Sequence, residues 1–478
     1  MLPRPALAAA LAVSLATGFA AGPALAQPHT LQEALAAAYA NNPTLQTARA
    51  NLRATDENVP AALAGWRPQV TVGALIGPTQ NRITEPGIVG VNSLTGQAIS
   101  GTTTTKSNRP EHAATLTVTQ PLYRGGKTRA STNRAENQVL STRAQLLATE
   151  QQVFTDTINA YVSVIQDEQI LALDISNEQL LTKELQATND RFRVGELTRT
   201  DVAQAESALA SSSATRQTAE GNLQAARATY EQLVGEPPGK LVEPQPLRTP
   251  VKTLEEAKAE AGRNNPNVVA ALFADSVARD AFDLAYSAIM PTLNLQGVLT
   301  HNKNQASPGV TETTGTLLLN LSVPIYQGGQ EYAAIRQARQ QELQARHQLE
   351  DQRRQAVQQA TSAWEQLIAA RAAIVSGRAA IRAGEIAVEG LEREALVGSA
   401  TTLDVLTAVQ NLLNAQTALV QSLATLVNAS YQVAAAVGRL TARDLNLPVP
   451  LYDEKAYYQA VHDLWIGTGD YATEQPGR

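Results

Sequence analysis

The sequence is poor in groups that do chemistry. Its five histidines, His29, His112, His301, His347 and His462, are scattered, with no H-E-x-x-H pattern and no close pairing. Such spacing supports neither a metal cluster nor an acid–base pair. Cysteine is absent, which rules out disulfides, thiolate metal sites and a lipidated N-terminal cysteine. Gly125-Gly126 is not followed by G-x-x-x-x-G-K-[ST], so it reads as a turn rather than a phosphate loop. No catalytic residue, cofactor or metal site is indicated, and nothing marks the chain as an enzyme.

What remains is a phrase that occurs twice, with an aspartate in each copy. Val194-Gly195-Glu196-Leu197-Thr198-Arg199-Thr200-Asp201-Val202 returns as Val397-Gly398-Ser399-Ala400-Thr401-Thr402-Leu403-Asp404-Val405. Both copies read V-G-x-x-T-x-x-D-V. Glycine supplies a positive φ where one helix ends. Thr198 or Thr401 then caps the next helix. Asp201 or Asp404, three residues on, returns the capping-box contact and sits at the positive end of the helix dipole. Each copy is expected to be the tip of an antiparallel helical hairpin.

The elements that carry these tips must be long. Aromatic residues make up only 4% of the chain, so cores are thin, as in packed long helices rather than a globule. Arg4, an apolar run to about Phe19 and Ala24-Leu25-Ala26 before Gln27 form a secretory signal peptide, residues 1–26, cleaved between Ala26 and Gln27. Removing Arg4 leaves 44 acidic residues against one basic residue fewer than the 38 of the full chain, a net charge of −7. That balance argues against nucleic acid as a partner. No window of about 18 apolar residues follows the leader, so any membrane crossing is expected from strands.

The chain is an internal duplication. Thr30-Leu31-Gln32-Glu33-Ala34, Asn42-Pro43 and Pro68 recur as Thr253-Leu254-Glu255-Glu256-Ala257, Asn265-Pro266 and Pro291, a constant shift of 223. Pro121-Leu122-Tyr123-Arg124-Gly125-Gly126 recurs as Pro324-Ile325-Tyr326-Gln327-Gly328-Gly329 at a shift of 203, which the tips and Gly235/Gly438 keep. The length change of 20 therefore falls between Pro68 and Pro121. The expected units are repeats 27–235 and 253–440, a Pro-rich linker 236–252, and a Tyr-containing tail 441–478 packed around the middle of the helices.

Within a repeat, period-two alternation marks two strands of about nine or ten residues, the length that crosses a membrane as a tilted strand. The first pair shows it at Val70, Val72, Ala74 and at Leu116, Val118, Gln120; the second at Leu293, Leu295 and at Leu319, Leu321, Val323. The Gly-, Thr- and Asn-rich stretch 78–112 is expected as a connection, and 301–314 as its shorter counterpart. Pro121 and Pro324 are expected to end the second strands, with Gly125-Gly126 and Gly328-Gly329 turning the chain into helices. Trp66, Tyr123 and Tyr326 suit either an interfacial belt or packing at a strand end.

Helices of about 66 residues, roughly 100 Å each, are expected at 127–192 and 330–395, the latter interrupted only by glycines. Leu140, Leu147, Phe154 and Tyr161 form a seven-residue stripe on the first. Val405, Leu412, Leu419, Leu426 and Val433, beside Leu406, Leu413, Val420 and Val427, put a helix against two neighbours. Continuous helices at about 31–65 and 199–235 would stack end to end beside the long one.

Four strands cannot close a barrel, and an open edge in lipid leaves backbone groups unpaired. Three copies give twelve strands, enough for a lumen. On the signal peptide, the two repeats, P-[LI]-Y-x-G-G and V-G-x-x-T-x-x-D-V, the chain resembles the TolC family of outer-membrane efflux and secretion channels. The resemblance implies a mostly α protein with a membrane β-barrel portion: a homotrimer with a twelve-stranded barrel and a helical tunnel in the periplasm of a Gram-negative bacterium. It implies contact with outer-membrane lipid, docking of a periplasmic adaptor (membrane fusion) protein and of an inner-membrane RND or ABC pump, and export of small molecules or, in type I secretion, proteins. A periplasmic adaptor would instead need β-rich flanking domains, and a stand-alone porin would not need so long a tube.

The resemblance also assigns residues. An aspartate pair one helical turn apart forms the family's constriction, and its positions here are Asp404 and Thr407, one acidic ring in place of two. A ring of three carboxylates would raise each other's pKa and attract cations. Asp404 otherwise reads as a cap, like Asp201. The family's closing Tyr and Arg fall on Ala395 and Ala400, while Thr200 and Asp201 match their partners; Arg199 is the nearby substitute. The tips, with Val194, Gly195, Thr198, Val397, Gly398 and Thr401, are the expected adaptor-docking and gating surface.

Overall fold

The computed structural model describes residues 29–305, 309–469 and 471; the leader and the Ala26–Gln27 cleavage site lie outside them. Each half folds as short helices, two strands, one very long helix and one of intermediate length. The first half comprises α1 (Leu31–Asn41), α2 (Pro43–Asp56), α3 (Asn58–Leu63), β1 (Gln69–Val91), β2 (Ala98–Tyr123), α4 (Lys127–Arg193) and α5 (Arg199–Val234). The second comprises α6 (Leu254–Asn264), α7 (Pro266–Tyr286), β3 (Thr292–Lys303), β4 (Thr311–Ser322), α8 (Gln330–Leu396) and α9 (Thr402–Ala436). A short α10 (Ala456–Val461) lies in the tail. α4 and α8 each hold 67 residues, about 100 Å at 1.5 Å per residue. Among the described residues no helix is long and apolar enough to cross a membrane.

The stretch 31–65 is not the single helix its pattern suggests. Asn42, extended at ψ 121°, stops α1 and restarts the chain as the N-cap of α2, its Oδ1 accepting from Thr44 N at 2.9 Å. Pro43 at N1 fits because that position needs no N–H. The Asn42 amide donates to Leu233 O at 3.0 Å, and its repeat partner Asn265 donates to Ala436 O at 3.1 Å, so each break seats a short helix on the end of α5 or α9. The second interruption precedes Pro60, which has no N–H to return to Asp56. The position equivalent to Pro60 is Asp283, and α7 runs unbroken through it.

Below the short helices, α4–α5 and α8–α9 form two coiled pairs. The stripes on α9 are buried or half-buried against α8 and α4. Gly377 and Gly384 do not interrupt α8. A Cβ at Gly384 would lie 3.2 Å from Leu412 Cδ1, and one at Gly377 3.5 Å from Leu419 Cδ1, so each glycine is a hole for a leucine knob. On α4 the expected stripe holds in its second half, where Phe154 and Tyr161 are fully buried; in the first half the buried positions are Val139, Leu146 and Val153, and Leu147 is 37% exposed. A straight helix at 3.6 residues per turn drifts off a seven-residue repeat.

The four strands form one antiparallel sheet in the order β1-β2-β3-β4. Most of 78–112 is strand rather than connection, since β1 and β2 pair from Gln69↔Thr119 to Val91↔Ala98 with one shift of register between Ile88 and Gly90. Cross-strand β-branched pairs such as Ile83↔Thr105 and Thr84↔Thr104 favour pairing over a loop. The last rung of the second hairpin, Lys303↔Thr311, corresponds by the two shifts to Gln80↔Asn108. The stretch 81–107, 20 residues longer than its counterpart 304–310, therefore forms a two-stranded ribbon beyond the four-stranded region. Pro121 does not end β2: the register slips between Pro121 and Tyr123, which still pairs with Leu293, so the missing N–H falls at an irregularity.

Register fixes two unlike faces. One carries Val70, Val72, Val118, Leu116, Leu299 and Leu317; the other carries Thr71, Thr117, Thr115, Thr300 and Thr316. The apolar side is the more exposed one along β2 and the outer half of β3, where Leu116, Val118 and Leu299 are exposed while Thr115, Thr117 and Thr300 are half-buried.

The largest core lies at mid-height, where α1, α2, α4, α5 and the tail meet around Tyr39, Phe154, Tyr161 and Tyr230. Tyr161 Oη donates towards His29 O at 2.9 Å and Val242 O at 2.7 Å, holding the first residues of the described chain and the linker together. The tail is held by Ala442 N donating to buried Glu150 Oε1 at 2.7 Å and by Tyr452 N donating to Tyr39 Oη at 3.0 Å. Burial pushes the Glu150 carboxyl up to about 7, against the opposing pull of the Ala442 N–H and Arg49. The folded state therefore holds a proton that the unfolded chain releases near 4.5, so stability is full below that pH and falls as pH rises through 7. The Glu150→Gln variant keeps the acceptor and removes the charge. Its melting temperature should gain on that of the native chain between pH 5 and pH 8, by up to ~3 kcal/mol of stability; parallel pH profiles would refute this.

Candidate pore constriction and hairpin tips

Both repeated phrases fold as tips with the same backbone. Gly195 and Gly398 have φ of +83° and +79°. Gly195 N donates to Phe192 O at 3.0 Å and Glu196 N to Arg191 O at 3.0 Å; Ser399 N donates to Glu394 O at 2.9 Å. These bonds satisfy carbonyls that the long helices leave open at their ends. Thr198 and Thr401 are extended N-caps, each closing a capping box. Thr401 N and Oγ1 donate to Asp404 Oδ2 at 2.9 and 2.7 Å, and Asp404 N donates back to Thr401 Oγ1 at 3.2 Å. Thr198 and Asp201 repeat the pattern, at 2.8, 2.7 and 3.4 Å.

The surroundings of the two aspartates differ. Hydrogen bonds from the capping threonine hold both carboxyls below the usual carboxylate range. The Arg191 guanidinium adds to this lowering at Asp201, but no cation contributes at Asp404. Asp404 is thus a carboxylate with one oxygen committed to a cap and no counter-charge of its own. It lies on the face of α9 opposite buried Val405, Leu406 and Val409, together with exposed Leu403, Thr407, Gln410 and Asn414. Thr407 Oγ1 donates to Leu403 O at 2.7 Å, back-bonding to its own helix.

Around the tips, Val194 and Val397 are 71% and 80% exposed, and Leu396 is exposed beside them. Thr200 is exposed next to Asp201. Arg199 makes no hydrogen bond or ion pair within the described residues. Arg191 instead joins the hairpins: its Nη2 donates to Ala395 O at 3.3 Å while its Nε bonds Glu196 Oε2 at 3.1 Å. Nearby, burial and the like charge of Glu392 raise the Glu184 carboxyl, with Arg191 opposing. Nothing in the sequence singles out Arg191, because its acceptor is a backbone carbonyl about two hundred residues away. At the other end, Gly126 and Gly329 are left-handed N-caps of α4 and α8, and Gly125 and Gly328 precede them at φ of +60° and +74°. Pro324 follows the end of β4. Among the described residues no group of side chains is disposed to hold a metal ion.

Comparison with known proteins gives a consistent picture. The model of the outer membrane efflux protein family matches residues 34–236 and 259–439. Outer membrane efflux protein BepC of Brucella suis biovar 1 is 34% identical over 439 residues, covering 92% of this chain and 91% of that protein. Outer membrane protein TolC of Escherichia coli is 24% identical over 491 residues, covering 95% and 92%. Among solved structures, the Campylobacter jejuni CmeC outer membrane channel superposes with a TM-score of 0.71 at 17% identity, covering 86% of this chain and 85% of that one. The outer membrane protein VceC of Vibrio cholerae does so with a TM-score of 0.71 at 20% identity, covering 85% and 96%.

Proposed function

The chain belongs to the outer membrane efflux protein family, and from that premise we propose that three copies close a twelve-stranded barrel over a helical tunnel running into the periplasm. As a member of the family it is an exit duct of the Gram-negative outer membrane, a transport conduit and not an enzyme. The observation that carries the trimer is the open sheet, with β1 and β4 as its edges and one apolar face. In lipid each unpaired backbone group on those edges costs several kcal/mol. Pairing β4 of one copy with β1 of the next satisfies them, and twelve strands leave a lumen that eight would fill. The apolar face then meets lipid and the threonine face lines the lumen. Trp66, Tyr123 and Tyr326, all exposed where strands join helices, form the interfacial belt.

At the far end six tips surround the mouth of the tunnel. Asp404 supplies one ring of charge at the constriction, with Thr407 a turn above it. Val194, Gly195, Thr198, Thr200, Asp201, Val397, Gly398 and Thr401 form the surface that a periplasmic adaptor engages, the exposed valines giving it apolar contacts. Repeats 27–235 and 253–440 are the structural units, 236–252 links them, and 441–478 straps the middle of the tunnel. Efflux relatives support small-molecule export through an RND pump; type I secretion through an ABC pump uses the same duct.

In detergent the purified chain should give the mass of three protomers by native mass spectrometry and, in planar bilayers, discrete conductance steps. A monomer without conductance would overturn the reading. Cross-linking at the tips in cells, followed by identification of the captured pump, separates the two exports.

A further inference from the structure

Charged side chains on the strands are sorted by face. Glu85, Glu111 and Glu312 all lie on the threonine face, as does Arg109, which bonds Ser107 and Gln305. Arg82, Lys106 and Lys303 all lie on the apolar face, Lys303 level with Ile76 and Arg82 with Lys106 beyond that rung. Lys303 pairs with His112, and His301 sits two residues nearer the band, opposite Ala114. Arg82 and Lys106 are direct cross-strand partners, an arrangement that like charges make unfavourable unless an anion joins them. None of the three cations has a carboxylate partner among the described residues.

Immediately below, the same face is hollowed. Gly297 and Gly315, diagonal neighbours on β3 and β4, open a shallow apolar groove walled by Leu116, Val118, Leu299 and Leu317. A side chain at either glycine would stand 3.8 Å from the leucine opposite and fill it. Two residues separate Leu299 from His301 and four from Lys303, about 7 and 13 Å along the strand at 3.3 Å per residue. Arg82 lies six residues beyond Ile76, about 20 Å further along β1, between that residue and the outward Ile88 near the hairpin end.

We propose that this face binds a phosphate-bearing glycolipid of the outer leaflet. Its acyl chain lies in the Gly297–Gly315 groove, a phosphate meets Lys303 beside His112 and His301, and Arg82 with Lys106 takes an anionic group further out. The assignment rests on the barrel reading above, which puts this face in lipid. A lipid accounts for both halves of the site: a soluble anion would leave the groove idle, and a neutral lipid would leave the cations unpaired. Acids kept to the lumen side leave the outer face attractive to anions throughout.

The test compares the purified native trimer with the Arg82→Gln/Lys106→Gln/Lys303→Gln variant. Lipid A carrying two phosphates, and the same lipid with its phosphates removed, are titrated and bound lipid is counted by native mass spectrometry. The native trimer should retain the phosphorylated lipid with at least tenfold higher affinity than the variant, and both should hold the dephosphorylated lipid alike. Equal retention of phosphorylated lipid A by the two proteins overturns the proposal, as does full displacement by equimolar inorganic phosphate. Conductance in phosphatidylcholine bilayers is the independent readout. A chain that conducts but does not distinguish the lipids fails this proposal alone, whereas a chain that never conducts fails the barrel reading with it.

Discussion

Replacing Asp404 by Asn or by Ala is expected to weaken block of the channel by a trivalent cation strongly and to lower its cation selectivity, while only Ala loosens the tip. The two substitutions separate the roles that one carboxylate plays. Asn keeps a side-chain oxygen for Thr401, and Ala removes the return half of the capping box, at a cost of about 1 kcal/mol to the start of α9. Both remove the charge. Among the described residues no cation compensates Asp404, so three such carboxylates at the proposed constriction would attract a multivalent cation undiluted. Roughly a hundredfold weaker block is the expected scale. Hexamminecobalt titrated from the periplasmic side of a planar bilayer measures it. Asp201→Asn is the control: it has the same cap but lies in the field of Arg191, and it should leave block unchanged. Native block in the Asp404→Asn channel would leave Asp404 a cap and nothing more.

The second large effect concerns the strand-to-helix turns, where matching glycines should fail in different ways. A Cβ on Gly125 would lie 2.3 Å from Met290 Cβ and 3.1 Å from Ser287 O, at a φ of +60°. Neither neighbour is the end of a flexible side chain, so the turn and the base of β3 must part. Left-handed strain of 1–2 kcal/mol plus overpacking of 1–3 kcal/mol predicts a Gly125→Ala chain that is destabilised before it assembles. Gly328, at φ +74°, has nothing within 4 Å of that Cβ in its own chain. Met290 and Arg67 are equivalent under the repeat, so pairing of β4 with the next copy's β1 brings Gly328 against Arg67 of the neighbouring copy. Gly328→Ala should therefore yield folded protomers that fail to form trimers. Circular dichroism with native mass spectrometry tells the two apart: lost helix and lost protein for Gly125→Ala, native helix and monomer mass for Gly328→Ala. Identical behaviour of the two variants would rule out the β4-to-β1 closure.

Much of this architecture is legible in the chain because it is written in local, periodic terms. The ends of α4 and α8 fall within a residue of their sequence expectation, since a left-handed glycine starts each helix and another follows its end. The capping boxes need only a threonine and an aspartate three apart. The duplication is carried by two constant shifts, and the four strands by alternation. Where the reading went astray, a non-local partner decided the matter. The threonine-rich 98–110 becomes strand because 78–91 pairs with it rung by rung. Pro121 stays within β2 because β3 absorbs the slip in register. The glycines of α8 do no harm because Leu412 and Leu419 fill the space they leave.

The sequence by itself therefore determined the parts: two repeats, long capped helices, strands of membrane character, and a matched pair of capping aspartates, of which the family resemblance marks Asp404 for the constriction. The tertiary structure decided what surrounds each repeated residue. It put Arg191 beside Asp201 and on the carbonyl of Ala395, and left Asp404 without a counter-charge. It pressed Gly125 against Met290 and left Gly328 open to a partner. The physical reason is the same in both cases. Backbone caps and turns are set by neighbours a few residues away, whereas fields and close contacts depend on which distant surface the fold brings alongside.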